Sequence, residues 1–227
     1  MIVNYHTHTA RCGHADGADR EYVETAVARG LKTIGFSDHV PMPFPDGHES
    51  GFRVPIRKLE DYVQSVLSLR DEFRNDIEIL LGQHFNDSRE AIYNSRPQSD
   101  AKALAAYVDQ VIAGMETGSF TYVAHPDLFR FKGPDEIYEK EMRRICQRAV
   151  TLNIPLEINI LGLRQGRNYP DDRFWTIAAE EKCKVILGCD AHTPDDVAHP
   201  DQLKKAMAYA ARFGLVPETE TVLRKPF

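Results

Sequence analysis

The chain has 227 residues, with 28 basic against 34 acidic side chains and a formal charge of −6. That length suits one domain with a substantial core, and 42% hydrophobic with 27% charged residues is a globular balance, neither disordered nor fibrous. No apolar run reaches the ~18 residues of a membrane helix, the start MIVNYHTHTARCGHADG lacks the regions of a secretory signal, and an acidic chain without a basic stretch suits nucleic acid poorly.

Short apolar runs alternate with amphipathic ones along the chain. Strands are expected over 2–5, 33–36, 77–81, 120–124, 155–159 and 185–188, each short and nearly continuous in hydrophobicity, as in strands buried on both faces. Helices are expected over 18–29, 57–74, 100–116, 135–152, 170–181 and 200–213. Tyr22, Val23, Ala26 and Val27 share one face of the first; Leu59, Tyr62, Val63, Val66, Leu67 and Leu69 share one face of the second. Asp100, Pro134–Asp135 and Pro170–Asp171 are helix starts, and Gly30, Gly118 and Gly214 are stops. This alternation predicts a single α/β domain over 1–227 with a parallel sheet, either closed as a barrel or open. The irregular run 40–55 reads either as a lid or substrate wall or as a plain surface excursion.

Cys12, Cys146, Cys183 and Cys189 form no CxxC pair. Free thiols and a cytoplasmic address are the expectation, with a packing or loop-shaping role for Cys12.

The nine histidines are not scattered. Functional side chains of parallel α/β folds gather where strands run into loops. His6, His8 and His14 follow the first expected strand, His39 the second, His84 the third, His125 the fourth, and Asp190 with His192 the last. His48 and His199 fall elsewhere and read as ordinary loop histidines. Residues i and i+2 of an extended chain point the same way, so His6/His8 and Asp190/His192 can each send two side chains to one side. So many imidazoles converging with a carboxylate predict metal ligation. The count exceeds the ligands of a single zinc site and implies two or three divalent ions; zinc, iron and manganese all suit this donor set.

These residues resemble the polymerase-and-histidinol-phosphatase (PHP) family of metallohydrolases, and more closely its histidinol-phosphate phosphatases. The matching pieces are HTHTARCGHADG at 6–17, GFSDHVPMPFP at 35–45, LGQHF at 81–85, TYVAHPDLFRF at 121–131, LEINILGLR at 156–164 and GCDAHTP at 188–194. The resemblance implies a distorted (β/α)7 TIM-like barrel with a trinuclear metal centre. Carried over by position, His6, His8 and Asp190 would hold one metal, His14, His39 and His192 a second, and His84 and His125 a third.

The family also implies a metal-bridging glutamate after the third strand, in a Gly-x-Glu context that this chain lacks. Asp76 to His84 instead runs from one strand directly into LGQH, which implies the loss of one βα unit. Glu78 reads as an exposed strand-start residue, while Asp87 and Glu90 are better placed to substitute.

The implied reaction is hydrolysis of a small phosphorylated substrate, L-histidinol phosphate, to L-histidinol and phosphate in histidine biosynthesis. Arg164 and Arg53 are the candidate substrate-binding residues, with Arg167 behind them, because a guanidinium matches phosphate in a bidentate way. Asp190 and His192 are candidate catalytic groups for moving the proton. The alternatives are a PHP-type phosphoesterase acting on nucleotides, and a metal-binding pseudoenzyme impaired by loss of the bridging glutamate. No nucleic-acid or membrane partner is expected, and oligomeric state stays open.

Overall fold

A computed structural model describes residues 2–85 and 96–224. The chain divides into two units, Met1–Ala91 with Gly188–Leu203, and Ile92–Leu187 with Lys204–Phe227. Among the described residues, no helix is long and apolar enough to cross a membrane.

The first unit is built on three parallel strands, β1 (Val3–Asn4), β2 (Thr33–Phe36) and β3 (Glu78–Leu81), in the order β1-β2-β3. Register runs Val3↔Thr33 in the first pair and Thr33↔Glu78 to Phe36↔Leu81 in the second. Two glycines let the strands converge. A Cβ on Gly35 would lie 3.1 Å from Tyr5 Cα, and one on Gly82 would lie 3.2 Å from the Phe36 carbonyl oxygen. Helices α1 (Asp19–Ala28) and α2 (Leu59–Glu72) cover this sheet. Glu21 accepts the Ala18 N–H at 2.6 Å and so closes the start of α1. The inward faces match the periodicity: Tyr22, Val23 and Ala26 of α1 and Tyr62, Val66 and Leu69 of α2 are buried with Ile34, Phe36 and Ile79. Each such aliphatic or Phe side chain contributes roughly 1.5–3 kcal/mol by leaving water. Tyr62 also donates its hydroxyl to the Gly82 carbonyl at 2.8 Å, which ties α2 to the segment leaving β3.

The second unit contains α3 (Ala101–Glu116), α4 (Asp135–Leu152), β4 (Leu156–Asn159), α5 (Ile160–Gln165) and α6 (Asp172–Glu180), with β4 paired to β5 (Val185–Gly188). The last helix, α7, spans Pro200–Arg212. α3 packs on α4 and α4 on α6, around buried Leu104, Met142, Ile145, Ile158 and Trp175.

One expectation changes, and one helix was not anticipated. The strand expected over 120–124 reduces to one parallel bridge, Val123↔Leu156, because the chain turns at His125, whose φ is 30°, and Leu128 bonds back to the His125 carbonyl. The run after β4 forms the short helix α5. Asn159 accepts the Gly162 N–H at 2.8 Å to start it, and Gly166, at a left-handed φ of 61°, stops it.

Candidate metal centre

One parallel bridge, Thr7↔Ala191, places two i, i+2 pairs side by side in the first unit. His8 N donates to the Ala191 carbonyl at 2.9 Å and Ala191 N to the His6 carbonyl at 3.2 Å. His6 and His8 flank Thr7, Asp190 and His192 flank Ala191, and the two pairs therefore meet. A second parallel bridge, His39↔His84, continues the β2–β3 register beyond both strands. His84 N donates to the Asp38 carbonyl at 2.8 Å, and Val40 N to the His84 carbonyl at 3.0 Å. β3 therefore runs straight into Gly82-Gln83-His84, as the sequence suggests, and its histidine stands at the end of the third strand.

The tightest geometry belongs to His6, His8 and Asp190. His6 Nε2 and His8 Nε2 are 3.2 Å apart, and Asp190 Oδ1 lies 3.3 Å and 3.1 Å from them. A cation held at about 2.0–2.1 Å by nitrogen and oxygen separates its ligands by about 2.9 Å at right angles and about 3.3 Å at tetrahedral angles. The triangle fits a first-row divalent metal. All three side chains are buried, and Asp190 takes a left-handed φ of 48°, an uncommon conformation outside glycine.

The remaining rings close around His8. His192 lies 4.4 Å from it between centroids, His39 4.7 Å, His14 5.6 Å and His84 6.2 Å. Ligand atoms of His8, His14 and His192 fall within 4.8 Å of one another, as do those of His8, His39 and His84. His14 and His192 share a device: the Nδ1 of each meets the backbone carbonyl two residues earlier, Cys12 at 3.1 Å and Asp190 at 2.8 Å. With the Nδ1 proton donated there, each Nε2 keeps its lone pair for a metal.

Asp38 is the candidate positioning residue that strand-end counting overlooks. It is buried, and its Oδ1 receives His8 Nδ1 at 3.2 Å. It also accepts Thr9 N at 3.1 Å, Thr9 Oγ1 at 2.5 Å and His39 N at 3.2 Å. A carboxylate behind a ligating imidazole fixes its orientation and raises its basicity. The available signals are the acid immediately before His39 in S-D-H and the threonine after H-T-H.

The charges follow from this packing. Burial opposes the charged form of Asp190, but His6, His8 and His192 outweigh it and hold the carboxyl well below its usual range. Burial likewise opposes a charged His8, yet bonds to Asp190, Asp38 and Cys12 push it well above the ordinary value. Burial and the charge on His8 drive His192 down to about 3 and His39 well below its normal value. The packing thus favours the protonated form of His8 and, through Cys12, of His14, and the neutral, metal-binding form of His39 and His192. Cys12 is more than a loop filler: its buried thiol is 3.8 Å from His14 Nε2, and bonds from His14 and His8 overcome burial to lower its pKa.

The other expected residues are placed as follows. Arg53 is buried, with its guanidinium 4.8 Å over the Phe52 ring and Nη1 donating to the Val40 carbonyl at 3.2 Å. With Val54 N bonded to the His39 carbonyl, the far end of the 40–55 loop packs back against the end of β2. Glu78 is an exposed strand-start residue that accepts Thr33 Oγ1 at 2.9 Å. His125 belongs to the second unit, its ring 5.4 Å from Tyr169, and Arg164 is exposed on α5. Asp87 and Glu90 lie outside the described residues.

Residues 4–88, which supply five of the histidines above, match the PHP domain. The probable histidinol-phosphatase of Deinococcus radiodurans is 25% identical over 234 residues, covering 86% of this chain and 88% of that one. The histidinol-phosphatase of Bacillus subtilis is 23% identical, covering 86% and 94%. Among solved structures, a histidinol phosphate phosphatase from Lactococcus lactis, complexed with zinc, L-histidinol and phosphate, gives a TM-score of 0.63 at 19% identity over 95% of each chain. A putative histidinol phosphatase from Listeria monocytogenes gives 0.69 at 17% identity, over 88% of this chain and 99% of that one. The chain thus shares the α/β fold of these phosphatases, and its histidines and Asp190 form groups able to hold metal.

Proposed function

We propose that this chain is a PHP-type, metal-dependent phosphate-monoester hydrolase, a histidinol-phosphatase that converts L-histidinol phosphate and water to L-histidinol and phosphate in histidine biosynthesis. The observation that carries the proposal is the triangle of His6 Nε2, His8 Nε2 and Asp190 Oδ1, with sides of 3.1–3.3 Å. The relatives' names supply the substrate. Two or three divalent ions, of zinc, iron or manganese, are the proposed cofactors. When bound, they supply Lewis acidity toward phosphoryl oxygens and acidify a water.

The chain's own residues do the rest. Asp190 stays ionised and holds His6 and His8 in register, and Asp38 fixes the His8 ring from behind. His14 and His192 present Nε2 because backbone carbonyls engage Nδ1. Asp190 and His192 are the proposed catalytic groups, each able to take up the proton only in passing. Buried Arg53, anchored by Phe52 and Val40, is a proposed phosphate ligand on the wall formed by the 40–55 loop. His125 as a metal ligand and Arg164 as a phosphate ligand belong to the same proposal and rest on their motifs. So do a cytoplasmic setting, one working domain across the chain, and a distorted (β/α)7 barrel one βα unit short.

Metal content per chain, measured beside phosphate release from histidinol phosphate and from nucleotides, tests the reading. At least two metals and selective turnover of histidinol phosphate are expected. Full loading with preference for a nucleotide would replace the substrate, and fewer than two metals with no turnover would sink the enzyme reading.

A further inference from the structure

The four cysteines form no close pair in sequence, yet the fold brings two of them together. Cys146 lies on the buried face of α4 and Cys183 in the turn between α6 and β5, both within the second unit. They stand 37 positions apart, and both are free thiols. The Cys183 thiol donates to the Cys146 carbonyl at 3.6 Å. The Cys146 thiol is in turn bonded to Cys183, and that bond, with burial, pushes it well above the usual thiol range. Neither residue belongs to a group able to hold metal among the described residues.

Contacts on either side hold the two thiols in place. Arg143, three residues before Cys146, donates to Glu181 Oε1 at 2.7 Å, and Gln147, the residue after it, donates to the same oxygen at 3.4 Å. Cys183 N closes the end of α6 by donating to the Ala178 carbonyl at 2.9 Å, a turn for which Lys182 takes a left-handed φ of 59°. Beyond it, Leu156 N of β4 donates to the Lys184 carbonyl at 3.0 Å. With both backbones anchored beside each other, the remaining approach to the ~2.05 Å of a sulfur–sulfur bond falls to the side chains.

We propose that Cys146 and Cys183 are a redox pair that closes into a disulfide on exposure to hydrogen peroxide, stapling α4 to the turn before β5. Cys183 is 7% exposed and Cys146 wholly buried, so the peroxide reaches Cys183 first. Its sulfur attacks one peroxide oxygen and breaks the O–O bond, giving a sulfenic acid and a water that carries off the thiol proton. The Cys146 sulfur then attacks the Cys183 sulfur and displaces the hydroxyl, which leaves as a second water with the Cys146 proton. Two thiols and one peroxide thus give one disulfide and two waters; the sulfurs lose two electrons and the peroxide oxygens gain them. The closed loop contains β4, α5 and α6, so the link restricts the unfolded chain and stabilises the native one.

Peptide mapping of the full-length chain tests this, after peroxide treatment in the presence of a chelator and alkylation of the remaining thiols in denaturant. Cys146 and Cys183 should escape alkylation, joined in one cross-link that dithiothreitol reverses. Against Cys183→Ala treated in the same way, the oxidised native chain should melt about 5 °C or more higher, a gain that reduction removes. Cys146→Ala tests the order of events: without its partner, Cys183 should accumulate as a sulfenic acid that dimedone traps, whereas Cys146 in Cys183→Ala should stay unoxidised. The map of the native chain needs no variant, so it decides the matter even if either substitution prevents folding. Alkylation of both thiols after peroxide has oxidised other residues overturns the proposal. So does a cross-link from either to Cys12 or Cys189, or a Cys146–Cys183 link that lowers the melting temperature. None of these readouts is phosphate release, so the redox pair stands or falls independently of the phosphatase reading.

Discussion

Asp190 in the first unit and Asp127 in the second are both buried aspartates two residues from a histidine, yet their environments drive them in opposite directions. Asp190 faces imidazoles and sits well below the usual carboxyl range despite its burial. Asp127 faces neutral donors: its Oδ2 accepts Asp171 N at 2.6 Å and Trp175 Nε1 at 3.0 Å. Burial dominates there and lifts it to about 7. The donor count separates the two kinds of polar interior. Around Asp127 the chain's own N–H groups consume the acceptor, whereas around Asp190 two ring nitrogens and an oxygen crowd within 3.3 Å, with more lone pairs than protons. The first arrangement holds a fold together; the second is suited to a cation.

The comparison breaks most visibly if Asp190 is dispensable. Asp190→Asn removes the charge and one corner of the triangle, so bound metal should fall and phosphate release should drop by about a thousandfold or more. His6→Ala should do the same, whereas Asp127→Asn should keep its metal. Elemental analysis alongside a phosphate assay checks all three, and an active Asp190→Asn chain would refute the ligand map. Removing metal with a chelator comes next in size. At a cation concentration about a thousand times its Kd, binding adds roughly 4 kcal/mol to stability. The chelated chain should therefore melt at a lower temperature, and both stability and activity should return on adding metal. A smaller effect belongs to Asp38, which acts through His8. Asp38→Asn should weaken metal binding by about 10–100-fold while leaving the number of sites unchanged. A competition titration reads this, and unchanged affinity would make Asp38 merely structural.

The sequence made the candidate ligands of this centre legible because spacing alone determines which side chains in extended segments share a side. His6/His8 and Asp190/His192 needed only their i, i+2 offsets and places after apolar runs, and the structure brings the two pairs together. Asp38 was hidden because its work is done through His8 Nδ1, a contact across 30 residues that no local pattern encodes. Spacing also said nothing of His84's neighbours; the register carried from Phe36↔Leu81 to His39↔His84 sets the two rings together. Six of the helices were readable from amphipathic periodicity, whereas α5 hides in the unpatterned apolar run Ile160-Leu161-Gly162-Leu163 and is declared only by its caps, Asn159 and Gly166. The 120–124 segment failed as a strand because apolar content cannot reveal that His125 takes a positive φ and turns the chain after one bridge.

The smallest effect sharpens the other half of the comparison. Asp127 has a folded pKa near 7, raised above the ~3.9 of an unfolded aspartate, so the native state holds an extra proton in between. Its contribution to stability is full below about pH 4 and is lost as pH rises through about 7. Between about pH 6 and pH 8 the unfolded chain is already ionised while the native carboxyl loses its proton, which costs about 1.4 kcal/mol. Asp127→Asn cannot ionise, and its amide oxygen can still accept the Asp171 and Trp175 N–H groups, so it should remove that slope. Urea denaturation of the metal-free chains at both pH values isolates the difference from metal linkage. A native chain equally stable at both would mean that Asp127 is already ionised in the fold, and the contrast with Asp190 would then lie in geometry alone.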